Sequence, residues 1–437
     1  MKLILMFMVP VYLGNIFQQF YNLADAMVAG RFLGVDALAA IGSTTSLIFL
    51  VIGWLNGITS GFAILIAQCF GAGKYDQMRH YLAMSIYLCI GFTILMTAGL
   101  LRFNVPILEM MNAPDELVRD IADYLAIIYG GLFVTAAYNG LAAVLRALGD
   151  SRSPLYFLII SAIINVFLDI IFIAYFHMGV EGCGYATVIA QGISAILCLV
   201  YMIKKFSILK LEKRNWEFSF SSAAKLLGLG VPMGLQFSIT AIGTIIVQGA
   251  VNIYGAAYMA GYSAAGKIQN MISTIFIAYG ATIATYVSQN RGAGKMERVH
   301  QGVRICQIMI LITSVFVMGA VWFGGPFLTA LFIENTETEA MEAAMVYYKA
   351  VVLFYPFLGS IFLYRNALQG LGYGLVPMMG GVFELLARAA VIMAAGGFGF
   401  LGVCMADPMA WLAALIPIVP YYFVKMKQIK NGKGELV

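Results

Sequence analysis

Apolar runs of about 20 residues, each long enough to cross the ~30 Å hydrocarbon layer of a bilayer, recur from one end of this chain to the other. They fall near residues 3–30, 37–70, 81–103, 122–145, 154–176 and 185–203, and again near 223–254, 257–289, 305–332, 345–368, 376–398 and 402–424. Only 11% of the 437 residues are charged, against about a quarter in a soluble domain. Hardly any chain is left over to build one. The expected fold is an all-α polytopic membrane protein of about twelve transmembrane helices. The first run starts almost at Met1 with no small-residue cleavage site behind it, so it reads as a membrane helix rather than a signal peptide.

Basic loops stay in the cytoplasm. Lys74 and Arg79, Arg146 and Arg152, Lys204 to Arg214, Arg291, Lys295 and Arg298, and Lys425 to Lys433 all fall on one side of a twelve-span layout. The other side is mainly acidic, with Glu109, Asp115, Glu116, Glu334, Glu337, Glu339 and Glu342. Both termini are therefore expected in the cytoplasm of a multi-pass protein of the cytoplasmic (inner) membrane. The net charge of +5 reflects this loop bias and gives no reason to expect nucleic acid as a partner. Six scattered cysteines and three histidines in or beside loops lack metal-ligand spacing, so no metal site is expected.

The chain also repeats itself. Gln68-x-x-Gly71-Ala-Gly-Lys74 recurs as Gln289-x-x-Gly292-Ala-Gly-Lys295, the stretch 34–40 matches 255–261, and Leu148-Gly149 with Pro154 matches Leu371-Gly372 with Pro377. The division this implies is a six-helix lobe over 1–203, a cytoplasmic linker over 204–222 and a second six-helix lobe over 223–437 with a short basic tail. Two pseudo-symmetric bundles with an even number of spans enter the membrane in the same direction, the layout of an alternating-access machine.

Polar side chains inside hydrocarbon are costly and need a partner, water or a function. Gln18, Asn22 and Asp25 share one helical face in the first span, with Tyr21 beside them, and Ser161, Asn165 and Asp169 share one in the fifth. Thr135, Tyr138 and Asn139 in the fourth and Thr187, Gln191 and Ser194 in the sixth supply further polar positions. Converging, these stripes form a polar pocket with two carboxylates. Their repulsion out of water is relieved by a shared proton, or by a Na⁺ held on carboxylate and amide oxygens. The second half breaks the pattern: Asn165 falls opposite Arg388, Ser161 opposite Glu384 and Asp169 opposite Ile392. Glu384 and Arg388 are i, i+4 and can neutralise each other. Lys267 is a further intramembrane charge, able to snorkel. Thirty Phe, 24 Tyr and 25 Met offer faces for flat cations, with Tyr21 and Tyr138 expected to line the cleft.

These residues resemble the MATE (multidrug and toxic compound extrusion) family in its bacterial form, along essentially the whole chain. The resemblance rests on Pro10-Val-Tyr-Leu-Gly-Asn15, on Tyr21-Asn-Leu-Ala-Asp25 through Gly30-Arg31, on the twin Gln-x-x-Gly-Ala-Gly-Lys motifs, and on Arg146-Ala-Leu-Gly149-Asp150-Ser-Arg-Ser-Pro154. It implies export of cationic or amphipathic small molecules driven by inward H⁺ or Na⁺, with no cofactor, and a monomer embedded in membrane lipid is expected. In proton-coupled members an Asp late in the first helix and Asn-x-x-x-Asp in the fifth do the coupling, which maps onto Asp25, Asn165 and Asp169. Other members carry an acidic residue early in the seventh helix, where this chain has Gln236-Phe-Ser-Ile-Thr240, with Thr240 in its place. Cavity candidates are then Gln18, Tyr21, Asn22, Tyr138, Asn139, Gln191, Gln236, Thr240, Glu384 and Arg388. Pro10 is the candidate hinge, because it removes a backbone hydrogen bond in the first helix.

A lipid-linked oligosaccharide flippase of the same superfamily is the alternative, although anionic cargo calls for more cavity-facing cations than these stripes supply. An enzyme is not expected: neither H-E-x-x-H nor G-x-S-x-G is present, and no His lies within a span. The charge pattern places Lys210 and Lys430 inside and Glu337 outside. Single cysteines at these positions, treated with an impermeant maleimide on intact cells, should label only at 337; labelling at 210 reverses the orientation.

Overall fold

The computed structural model describes residues 2–111, 116–333, 337–394 and 397–431, with the side chains of residues 22, 26, 35–40 and 43 outside that description. Its helices are α1 (Lys2–Leu33), α2 (Val35–Gly71), α3 (Tyr75–Arg102), α4 (Asn104–Met110), α5 (Val118–Gly130), α6 (Leu132–Ala147), α7 (Arg152–Ile170) and α8 (Val180–Lys205). They continue as α9 (Phe220–Asn252), α10 (Ala256–Gly292), α11 (Met296–Thr329), α12 (Thr338–Val351), α13 (Tyr355–Gly370), α14 (Leu375–Ala394), α15 (Gly399–Cys404) and α16 (Ala406–Lys430). There is no strand among the described residues.

Among the described residues, eleven segments are long and apolar enough to cross a membrane, and α5 with α6, bent by 46° at Gly131, makes up to twelve. The expected spans are thus recovered, with three of them broken. A methyl group at Gly131 would meet Val188 Cγ2 at 2.4 Å, so only glycine admits α8 this close to the bend. A short turn at Val352–Phe354 separates α12 from α13, and Met405 separates α15 from α16. In contrast, α1 continues as one helix through Pro10.

Contacts divide the chain into two compact units, Leu13–Gly234 and Met1–Tyr12 with Leu235–Val437. In the first, buried Phe62, Met78, Tyr81 and Cys198 form one apolar core, and Leu55, Leu125, Tyr129 and Leu132 another. In the second, Phe276, Tyr347, Tyr355, Ile418 and Tyr422 form a continuous core.

The repeat found in sequence reappears as backbone geometry. Gly73 and Gly294 hold φ of 70° and 68°, and Gly149 and Gly372 hold 94° and 82°. In each case the following amide closes the helix: Lys74 N bonds Cys69 O, Lys295 N bonds Asn290 O, Asp150 N bonds Leu145 O and Tyr373 N bonds Leu368 O, at 2.8–3.0 Å. This closure needs a left-handed residue, which is why glycine recurs. After Gly149, Asp150 Oδ1 accepts from the amides of Arg152 and Ser153, and its Oδ2 from Ser153 and Tyr201 hydroxyls. Partial burial works to raise the Asp150 carboxyl, but the Ser153 and Tyr201 hydrogen bonds and nearby Lys205 hold it below its usual value. The 204–222 segment folds back onto α3, with Arg79 on Glu212 at 3.1 Å, Arg214 on Asp76 at 2.9 Å, and His80 within hydrogen-bond distance of Asn215 O and Ser222 Oγ.

In the first unit α2 and the start of α9 approach backbone to backbone. A Cβ on Gly57 would lie 2.6 Å from Gly234 Cα, and one on Gly61 2.6 Å from Gly230 Cα. Two glycines spaced by four on each helix make the small-residue face through which membrane helices pack closely. Gly61→Ala should therefore destabilise the protein by about 1–3 kcal/mol through overpacking. Gly91→Ala, at a helical site with nothing within 4 Å, should be neutral. Thermal denaturation in detergent compares the two; equal midpoints contradict the close crossing.

Candidate functional site

The first unit gathers its polar residues where α1, α5, α7 and α8 meet. Asn165 and Asp169 are fully buried, Tyr21 is 5% exposed, and Asp25 is half-buried. Thr187 Oγ1 donates to Asp25 Oδ2 at 3.3 Å, tying α8 to α1. Asp25 and Asp169 stand close enough to interact directly, with Asn165 beside Asp25. Tyr21, Tyr124 and Cys183 lie within electrostatic reach of both carboxyls. The accounting of hydrogen bonds is unusual. Asp25 Oδ1, both Asp169 oxygens, both amide atoms of Asn165 and the Tyr21 hydroxyl are buried without a hydrogen-bond partner. Buried polar atoms in native proteins are nearly always paired. A constellation of unsatisfied oxygens around two carboxylates is chemically a cation or proton receptor, because either ligand supplies the positive charge the oxygens lack.

Not every residue of the sequence stripes joins this group. Gln191 accepts from Thr135 Oγ1 at 2.5 Å, which ties α6 to α8. Ser194 bonds Phe157 O at 2.9 Å and so serves α7–α8 packing. Tyr138 packs against the apolar core that includes Phe62, Met78, Tyr81 and Cys198, with Arg146 nearby. Gln18 and Asn139 are half-buried on α1 and α6, and the Asn22 side chain lies outside the described residues. Tyr124 and Cys183 were missed because a lone Tyr or Cys in an apolar run carries no pattern.

The second unit holds a different constellation. Glu384 and Arg388, 3.6 Å apart on α14, are 5% and 4% exposed, as expected for a buried pair. They are the middle of a longer row. Arg365 on α13 bonds Glu384 Oε1, and Arg388 Nε donates to Asp407 Oδ1 on α16 at 3.0 Å. Tyr347 on α12 donates to Asp407 Oδ2 at 3.3 Å. The order Arg365, Glu384, Arg388, Asp407 alternates in sign and sums to zero. Beside it Gln369 donates to Gln236 Oε1 at 3.1 Å, while Thr240 is spent on its own helix, bonding Gln236 O at 3.0 Å. Lys267 is exposed and stands 5.0 Å over the Phe332 ring, a cation–π contact.

Comparison with known proteins agrees with the duplicated architecture. The MatE family profile matches residues 10–171 and again 232–393. The probable multidrug resistance protein YpnP of Bacillus subtilis (strain 168) is 29% identical over 376 residues, covering 85% of this chain and 83% of that protein. The probable multidrug resistance protein YoeA of the same strain is 28% identical over 438 residues, covering 97% and 94%. A crystal structure of a MATE in the bent conformation superimposes with a TM-score of 0.92 at 19% identity, covering 99% of this chain and 96% of that one.

The ionic row predicts how charge removal should behave. Breaking a buried pair costs about 3–5 kcal/mol when one charge is left uncompensated. Arg388→Gln strands Asp407, and Glu384→Gln with Arg388→Gln strands both Arg365 and Asp407. Arg388→Gln with Asp407→Asn leaves the Arg365–Glu384 contact whole. The last variant should keep the highest melting midpoint and folded yield of the three; if the Glu384/Arg388 double variant equals it, the row does not act as a unit.

Proposed function

This chain belongs to the MatE family of multidrug-efflux transporters, and we propose that it is a secondary-active antiporter that exports cationic or amphipathic compounds in exchange for H⁺ or Na⁺ by alternating access. The carrying observation is the cluster of buried, unsatisfied oxygens at Asp25, Asn165 and Asp169. In this reading Asp25 binds the coupling ion, and Asp169 and Asn165 tune it. A proton would be shared between the two carboxyls. A Na⁺ would be held by their oxygens with Asn165 Oδ1 and Thr187 Oγ1, an all-oxygen set suited to a hard cation. The names of the matching relatives support drug export over oligosaccharide flipping.

The cycle follows from charge. With the ion bound, the pair is neutralised and its partners on α7 and α8 are free to rearrange. Without it, two carboxylates repel across a low-dielectric site and favour a cationic cargo nearby. Pro10 supplies a weak point in α1, where a backbone hydrogen bond is missing, so that a change of partners at Asp25 can be met by a bend. Ion entry from outside would then displace cargo outward, and ion release to the cytoplasm would reset the site. The protein would act as a monomer with both termini cytoplasmic.

Asp25→Asn mimics the permanently neutral carboxyl. It should fold and reach the membrane yet export ethidium from everted vesicles at less than about a tenth of the wild-type rate, since the ion no longer distinguishes two states. Imposing H⁺ and Na⁺ gradients separately on the wild type identifies the ion. Wild-type export by Asp25→Asn, with unchanged response to both gradients, removes Asp25 from the mechanism.

A further inference from the structure

The ionic row of the second unit has no part in the cycle above, yet it is built in a way that pure packing does not require. A buried ion pair is retained at a cost, and apolar residues of the same volume are often as stable or more so. Here two guanidinium groups meet two carboxylates with donors in excess. Arg365 Nε is buried without a partner, and Arg388 Nη1 makes no hydrogen bond, lying 3.6 Å from Glu384 Oε2. Both arginines are at least 95% buried. The Arg388 side chain lies directly against Gly243 on α9: a Cβ there would meet Nη1 at 2.9 Å and Cδ at 3.2 Å.

The two carboxylates are held unequally. Glu384 lies between both arginines at 6% side-chain exposure. Asp407 is at 16%, with one guanidinium bond and one long bond from Tyr347. It also sits in the first turn of α16, immediately after the break at Met405, where the chain is least constrained by its own helix. The groups facing Arg388 and Asp407 are Tyr262 from α10, Tyr347 from α12, Glu384 from α14 and Cys404 from α15. Apart from Arg365 and Glu384, none of these neighbours brings a formal charge at neutral pH. Removing Asp407 from Arg388 therefore leaves one positive charge in excess.

We propose that Arg388, backed by Arg365, is an acceptor for the acidic group of a transported compound, and that Asp407 is the internal carboxylate that occupies its place at rest. The ligand class is an amphipathic molecule with one carboxylate or similar anion on an apolar body. The charge matches the guanidinium fork, and the hydroxyl-bearing rings of Tyr262 and Tyr347 flank the site. The word transported rests on the antiport reading; the binding site does not.

Two probes with one body separate charge from shape: pyrenebutyrate and a pyrenebutyl-trimethylammonium salt. Each is titrated by fluorescence into the full chain in nanodiscs. Asp407→Asn removes the resident competitor and should bind pyrenebutyrate about tenfold more tightly than wild type, with a matching gain in melting midpoint on adding the probe. Adding Arg388→Gln to that variant, which leaves the Arg365–Glu384 contact whole, should cancel the gain. Arg388→Lys keeps the charge but not the planar fork, and should weaken pyrenebutyrate alone. The cationic probe should bind all four proteins equally. Equal pyrenebutyrate affinity across them, or parallel loss of both probes, overturns the proposal. If the ranking holds while wild-type vesicles exchange neither probe under any gradient, the antiport reading fails and the anion site stands.

Discussion

Hydrocarbon offers no hydrogen bonds, and this one deficiency organises the molecule. Each backbone group must be satisfied within its own helix, so the chain is helical almost throughout and its irregularities sit where glycine, proline or a short turn re-closes the ladder. The same deficiency makes every polar side chain in a span conspicuous. The two units answer it in opposite ways. The first gathers two carboxyls and an amide and leaves most of their polar atoms without a hydrogen-bond partner, Thr187 on Asp25 Oδ2 apart. The second pairs its charges among themselves along Arg365, Glu384, Arg388 and Asp407.

That contrast stands on a duplicated scaffold. Gly73 and Gly294, and Gly149 and Gly372, close corresponding helices with nearly the same backbone angles. The helices that carry the two constellations, α7 and α14, correspond under the repeat, with Asn165 opposite Arg388 and Ser161 opposite Glu384. On a doubled sequence frame, different residues at a few corresponding positions give two acidic and amide side chains in one unit and an ionic row in the other. Thr240 belongs to the same divergence: its hydroxyl bonds its own helix.

Much of this was legible in the sequence for a physical reason. Span length, basic-loop bias and the repeat are properties of one segment or of two segments compared, so they need no knowledge of neighbours. Asp25, Asn165 and Asp169 stood out because intramembrane polarity is rare. What stayed hidden depends on which helix lies beside which. Gly57 and Gly61 advertise a small face, but not that Gly234 and Gly230 fill it. Glu384 and Arg388 announce a pair by their spacing. Arg365 and Asp407, nineteen residues to either side, join it only through packing. Tyr138 shared a polar stripe in sequence, and its packing against the core of Phe62, Met78 and Tyr81 follows only from which helices meet.

The placement of charges within α14 has a bearing on how the chain enters the bilayer as it is made. An arginine at the centre of a span costs about 2.5–3.5 kcal/mol to insert. Glu384 and Arg388 lie one turn apart on the same helix, so α14 can leave the translocon with its charges already compensating. Arg365 on the preceding α13 has no such companion in its own segment. Its counter-ion emerges only with the next helix, which favours release of α13 and α14 as a hairpin. Asp407 follows last on α16 and completes the row once the hairpin is in place.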